Sequence, residues 1–421
     1  MYRQLFPPKQ VRLHTTMQNK PGCSQPDISR RTGLQTVLQA VLRNSLLPAL
    51  LLSSSFLTAC NHPATGTLPV IKIGSASPLT GPQAHLGQDN ANGARLAVDE
   101  INAAGLVIGK QHYRLQLLAE DDQADPRTAT TVAQQLVDDG VAGVIGHLNS
   151  GATIPAAKVY FDAGIPQISP SATAIAYTHL GFNTAFRVMS NDRQQGDALG
   201  QYVVQRLHIK RIAVIDDRTA YGQGLADEFS HAATAAGATI VDREYTTDKS
   251  TDFLAILTAI KATQPQIIFF GGMDPQAGPL ARQIQQLGIH CPLIGGDGMQ
   301  TDQFIRLAGQ AAEGDFASNP GVPLDKMPQG TAFAKRFRAQ YGEIQNYAPY
   351  AYDAVYVMIS AMQRAGSPDP ARYLAELPKT DYQGVTGHIQ FDSHGDLAHG
   401  SITIYQVQSG HWQPVETLNG T

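Results

Sequence analysis

The chain has 421 residues, more than one ordinary hydrophobic core supports and enough for two. Hydrophobic residues make up 43% and charged residues 16%, the balance of a globular protein rather than a disordered one. The formal net charge is -4 and no Lys/Arg cluster interleaves with aromatics, which excludes a nucleic-acid-binding surface of the usual kind.

Residues 1–44 are polar and carry Arg30, Arg31 and Arg43; residues 45–57, SLLPALLLSSSFL, are then apolar. That run is too short for a bilayer, which takes about 20 apolar residues. A basic region before a short apolar core is the pattern of a secretory signal. The alternative, a buried core helix, is disfavoured by Pro48 and the serines at 53–55. The run ends in Leu57-Thr58-Ala59-Cys60, which resembles the lipobox of bacterial lipoproteins. That resemblance implies cleavage before Cys60 and its acylation. Residues 1–59 therefore read as a signal peptide and 60–69, CNHPATGTLP, as a lipid-anchored tether. Cys23 and Cys60 fall in this leader, so Cys291 has no partner for a disulfide in the body.

From residue 70 strand and helix patterns alternate. A short apolar run at 70–76 precedes a turn, and residues 87–104 place Ala94, Ala97, Val98 and Ile101 at helical spacing. Strand 115–119 follows. Asp125-Pro126 supplies an N-cap and a proline for the first helical turn, and Ala129, Val132, Ala133, Leu136 and Val137 form the face of that helix. Residues 141–145 read as a strand, 154–161 as a helix and 166–169 as a strand. The polar stretch 187–193 reads as a crossover. A second series contains strands at 211–215, 239–241, 266–270 and 292–294, with helices at 224–236, 253–263 and 279–287 between them. Residues 389–391 and 401–407 read as late strands. Two β-α series predict an α/β protein of two doubly wound, parallel-sheet lobes. The expected division is 70–190 plus 320–383 for one lobe and 191–319 plus 384–415 for the other.

Several strings in this body resemble one family in order and content: residues 73–105, IGSASPLTGPQAHLGQDNANGARLAVDEINAAG; 121–129, DDQADPRTA; 143–160, GVIGHLNSGATIPAAKVY; 168–174, ISPSATA; 216–226, DDRTAYGQGLA; 269–278, FFGGMDPQAG; and 295–298, GGDG. They are similar to the leucine/isoleucine/valine-binding proteins, the substrate-binding subunits of branched-chain amino acid ABC importers. The resemblance implies the type I periplasmic-binding fold, with a three-stranded hinge and closure on an amino acid. It implies that Ser150 binds the ligand carboxylate, and the residues agree: Ser150 lies between a strand and a helix start, where backbone N–H groups attract anions. By the same resemblance Thr173 contacts carboxylate and ammonium, Ser171 offers a main-chain carbonyl, and Tyr221 covers the ligand. Asp297 stands where the family has a glutamate for the ammonium, one methylene shorter, and is expected to be the one formal countercharge. Leu86 and Met273 stand where the family has pocket tyrosines, keeping the pocket apolar. Asn149 replaces a family cysteine and is expected to reach the ligand or bridge two loops. The implied partners are a small amino acid, the permease subunits of an ABC importer, and a membrane through the N-terminal lipid. The implied location is the periplasm or cell envelope, with a monomeric chain.

Neither a P-loop, GxGxxG, HExxH nor GxSxG string occurs, and His208, His290, His388, His394 and His399 have no metal spacing. No cofactor or metal is expected. The alternatives to a solute carrier are an enzyme with convergent catalytic groups on this scaffold, and a fold-related sensor or regulator of envelope enzymes. A regulator would have no use for the set Ser150, Thr173, Tyr221 and Asp297.

Overall fold

The computed structural model describes residues 67–419; the expected signal peptide, Cys60 and most of the tether lie outside them. Among the described residues no helix is long and apolar enough to cross a membrane.

The first series runs β1 (Val70–Ser77), α1 (Ala84–Ala104), β2 (Leu106–Ile108), β3 (Gln111–Asp121), α2 (Pro126–Asp138), β4 (Gly143–Gly146), α3 (Ser150–Asp162), β5 (Gln167–Ser169) and β6 (Ala185–Arg187). The second runs α4 (Asp192–Gln205), β7 (Arg211–Asp216), α5 (Ala220–Ala235), β8 (Thr239–Tyr245), α6 (Leu254–Thr263), β9 (Ile267–Gly271), α7 (Asp274–Gln286), β10 (Leu293–Gly295), α8 (Asp302–Ala308) and β11 (Phe316–Pro320). The chain finishes with α9 (Gly330–Tyr341), α10 (Ala348–Ala365), α11 (Pro370–Tyr373), β12 (Tyr382–Gln383), β13 (His388–Ile389), β14 (Ser401–Gln408) and β15 (His411–Asn419).

One sheet has the order β2-β3-β1-β4-β5-β6 and the other β15-β14-β11-β10-β9-β7-β8. Their centres are parallel, as two β-α series require, and the central strands β4, β9 and β10 are buried along their length because helices cover both faces. The edges are not: β2 pairs antiparallel with β3, and β14 and β15 add an antiparallel hairpin beside β11. A hairpin needs no crossover helix, which is why the late strands arrive without one. The expected strand at 389–391 shrinks to two residues, paired only with β12.

Asp125 caps α2 as its sequence suggests, accepting from the N–H groups of Arg127 and Thr128. Several elements were not anticipated, among them β6 and α4 in the middle of the chain and α8, β11, α9 and α10 after β10. The α4 sequence is polar, and Gly196 and Gly200 lower its helix propensity, yet both glycines are required where α4 crosses α5. A Cβ on Gly200 would lie 2.6 Å from Ala232 Cβ, and one on Gly196 2.6 Å from Glu228 Cβ. Helix α7 starts five residues earlier than Pro279 suggests. Pro275 takes the N-terminal position and Pro279 lies inside the helix.

The chain passes between the two sheets at 188–191, 321–329 and 384–400. In each sheet the strand order reverses beside the first strand of its series, β1 or β7. Loops after β1, β4 and β5 therefore meet loops after β7, β9 and β10 at two topological switch points, where open α/β sheets place their ligands.

Candidate functional site

These loops enclose a cavity lined by Leu148, Asn149, Ser150, Ser171, Tyr221, Met273, Asp297 and Tyr347. Six of the eight residues singled out from sequence line it. The other two lie behind it: Leu86 is fully buried in α1 and Thr173 is fully buried beyond Ser171. The space is about 10 Å³, room for a single water, because the two lobes are in contact around it. Across that contact His85 Nε2 lies 2.8 Å from Asp274 Oδ2, and Asn346 Nδ2 donates to the Asp297 carbonyl at 3.1 Å.

The first lobe supplies donors. Asn149 takes the N-cap position of α3, but its side chain caps nothing. Its carbonyl receives the N–H groups of Ala152 and Thr153, while those of Ser150 and Gly151 have no partner among the described hydrogen bonds. They are the free end of the helix dipole. Ser150 Oγ accepts from Ala174 N at 3.1 Å, which leaves its own proton to donate and ties α3 to the 171–174 loop. Behind the loop His147, fully buried, reaches Asp122 through Nδ1 at 2.7 Å and Tyr160 OH through Nε2 at 3.0 Å. The His147 carbonyl accepts the hydroxyls of Thr153 and Ser169. This network sets the path of the chain into Ser150.

The second lobe supplies an acid. Asp297 is 1% exposed. Its Oδ1 accepts from Tyr221 OH and Gln195 Nε2, each at 3.0 Å, and its Oδ2 from Tyr347 OH at 2.7 Å. Burial pushes this carboxyl up and the three donors pull it down, with a net rise. The loop that carries it needs glycine on both sides. A Cβ on Gly298 would lie 2.5 Å from Met273 Sδ, and one on Gly296 2.6 Å from Tyr221 OH. Tyr347 enters from the first lobe because Asp89 of α1 binds the N–H groups of Gln345, Asn346, Tyr347 and Ala348 ahead of α10.

A second buried acid, Asp192, the first residue of α4, lies near Asp297 without lining the cavity. Asp192 is 1% exposed and its N–H donates to the Thr173 carbonyl at 2.9 Å. Burial raises its carboxyl to about 8; the nearby Thr173 hydroxyl offsets part of the rise, and Asp297 adds to it. Both Asp192 oxygens, Thr173 Oγ1 and Asn149 Oδ1 are buried without a hydrogen-bond partner. Buried polar groups are almost always satisfied, so these atoms are an unusual concentration of unpartnered polar groups in one part of the fold. Sequence reasoning missed Asp192, although the capping pair Asn191 and Gln194 is legible and places Asp192 at a helix start. Tyr347 left no such signal.

Among the described residues no group of three or more His, Cys, Asp or Glu side chains could hold a metal ion.

A family model described as periplasmic binding protein matches residues 70–411. The chain belongs to the periplasmic binding protein family. Its relatives in that family include an amino acid binding protein of Pseudomonas aeruginosa, 36% identical over 82% of this chain and 91% of that protein. A leucine-, isoleucine-, valine-, threonine-, and alanine-binding protein of the same organism is 35% identical over 80% of this chain and 89% of its own length. A branched-chain amino acid transporter substrate-binding protein of Streptococcus pneumoniae, solved with isoleucine, superposes with a TM-score of 0.75 at 31% identity, covering 83% of this chain and 99% of that one. These are the leucine/isoleucine/valine-binding proteins to which the sequence motifs pointed, and their family is one of substrate-binding proteins, not of enzymes.

Proposed function

We propose that this chain is the exported, lipid-anchored substrate-binding subunit of an ABC importer, that it holds a small amino acid in the cleft between its lobes, and that it delivers it to the permease. The relatives' names point to a branched-chain or similarly aliphatic amino acid, and one of them adds threonine. One observation carries the reading. Groups of opposite character lie at or near a single cavity: the unpartnered N–H groups of Ser150 and Gly151 with the Thr173 hydroxyl behind them, and two buried carboxyls, that of Asp297 in the lining and that of Asp192 near it. A carboxylate suits the first set, through the helix N-terminus. An ammonium suits the second, because a buried acid is stable as an anion only beside a cation. The main-chain atoms of an amino acid offer both at a fixed spacing.

A thermal-shift panel of amino acids tests the ligand. A true ligand raises stability by RT ln(1 + [L]/Kd), roughly 2.7 kcal/mol at a hundredfold excess over Kd. If no amino acid shifts the transition while a carboxylate lacking an ammonium does, the ammonium assignment fails. The anchor is tested by mass spectrometry of the N-terminus: an acylated Cys60 is expected, and an unmodified peptide running through Ala59 into Cys60 overturns it.

A further inference from the structure

The side-chain end of the cleft does not match the apolar pocket that the family resemblance implies. Leu86 is withdrawn into the core, which leaves Leu148, Met273 and the tyrosine rings as the apolar wall. Asn149 lines the same cavity with an amide. Its Nδ2 donates to Gln83 Oε1 at 2.6 Å, so the amide is directed toward the start of α1 and away from its own helix. The Asn149 Oδ1 is buried and unpartnered. If both amides were turned end for end, Asn149 would accept from Gln83 and leave Nδ2 unpartnered instead. In either orientation one polar end of Asn149 is unused. A hydroxyl both donates and accepts, so it satisfies either end; a methyl group in its place leaves the amide stranded.

We propose that the cleft prefers β-hydroxy amino acids, threonine and serine, over aliphatic ones of the same shape, and that Asn149 is the residue that recognises the hydroxyl. This rests on the reading of the cleft as an amino-acid site. Threonine matches these groups in kind, with a methyl for Leu148 and Met273 and a hydroxyl for Asn149. Valine has the same outline with a second methyl where the hydroxyl would be.

Calorimetry on the full chain with threonine, serine, valine and leucine decides the matter. Threonine is expected to bind about tenfold more tightly than valine, the difference one satisfied buried polar group makes. In Asn149→Leu, which keeps the side-chain size, the order is expected to invert: threonine weakens and valine does not. Valine binding as tightly as threonine to the unaltered protein overturns the proposal and leaves the amino-acid site standing. An Asn149→Leu variant that loses both ligands by the same factor also overturns it, since the amide would then serve the main-chain carboxylate. If none of the four amino acids binds, the amino-acid site itself fails and the proposal with it. Should Asn149→Leu not fold, the threonine-to-valine ratio of the unaltered protein still decides.

Discussion

Ser150 and Asp297 occupy the two lobes, and the surroundings of each set what its removal costs. Ser150→Ala deletes one hydroxyl but leaves the N–H groups of Ser150 and Gly151 in place. The expected loss of affinity is about 1.5–3 kcal/mol, the range for a hydrogen bond to a charged group. Asp297→Ala removes a countercharge and also strands Tyr221, Gln195 and Tyr347, the three donors on its carboxylate. Its expected cost is about 3–5 kcal/mol. Calorimetry with the best ligand of the panel checks both, and equal losses would contradict the assignment. Asp192 adds a proton to the account. Its folded-state pKa, about 8, is above the usual 3.8, so the ligand-free fold binds that proton more tightly than the unfolded chain does. The stability this confers is complete below 3.8 and is lost as pH rises through 8. An ammonium beside Asp192 favours the ionised carboxylate. Binding at pH 7 therefore releases protons, and affinity rises from pH 6 toward 8. Calorimetry in buffers of different ionisation enthalpy measures the release, and Asp192→Asn should diminish it. A binding enthalpy that is the same in every buffer would place the ammonium elsewhere.

At the scale of elements, the loop that carries Ser171 and Thr173 is held by β6. Arg187, the last residue of β6, is 0% exposed. Its Nη1 donates to the carbonyls of Ala172 and Ala174, its Nε to Asp396 Oδ1 at 3.0 Å, and its Nη2 to Thr178 and Asp396. Asp396 belongs to the third crossover, and Asn191 of the first crossover also donates to it. One ion pair thus joins two of the three crossovers to the ligand loop. Burial pushes the Asp396 carboxyl up, but Arg187, Thr178 and Asn191 outweigh that and hold it below the usual range. Arg187→Met leaves a buried carboxylate without its cation and is expected to cost about 3–5 kcal/mol of stability in urea unfolding. Arg187→Met combined with Asp396→Leu should be less destabilised than Arg187→Met alone. If the double variant is the worse of the two, the pair is not the source of the cost.

For the whole molecule the question is how a ligand enters a cleft whose walls touch. The lobes meet through His85 and Asp274, through Tyr347 and Asp297, and through Asn346 and the Asp297 carbonyl. Each bond joins loops that only the three crossovers connect, so hinge opening breaks them together while both sheets stay intact. A ligand that bridges the lobes shifts the equilibrium toward closure only through its preference for the closed form. Small-angle scattering should give a smaller radius of gyration with ligand than without. His85→Ala removes a half-buried closing contact made by a residue that does not line the cavity. It should weaken binding by about 0.5–1.5 kcal/mol and enlarge the ligand-free radius. A radius unchanged by saturating ligand would exclude hinge closure.

Sequence by itself determined the two β-α series, the Asp125-Pro126 helix start and the place of Ser150 between β4 and the next helix, though that helix begins four residues earlier than expected. These are local matters: apolar periodicity, capping and turn chemistry act between residues a few positions apart, and the strings that carry them are contiguous. Local signals were silent on α4, whose glycines find their reason only when α5 is laid against them. The family motifs placed Asp297 in the site from the string GGDG, but not the groups that surround it. Gln195 lies 102 positions away and Tyr347 lies 50. Whether Leu86 faces the ligand or the core, and whether Asp192 turns toward the cleft, are settled by how α1 and α4 rotate against their neighbours. Only the tertiary structure decides these points. Each contact joins side chains that share no stretch of backbone, and its free energy comes from burial and pairing that exist only once both lobes are folded.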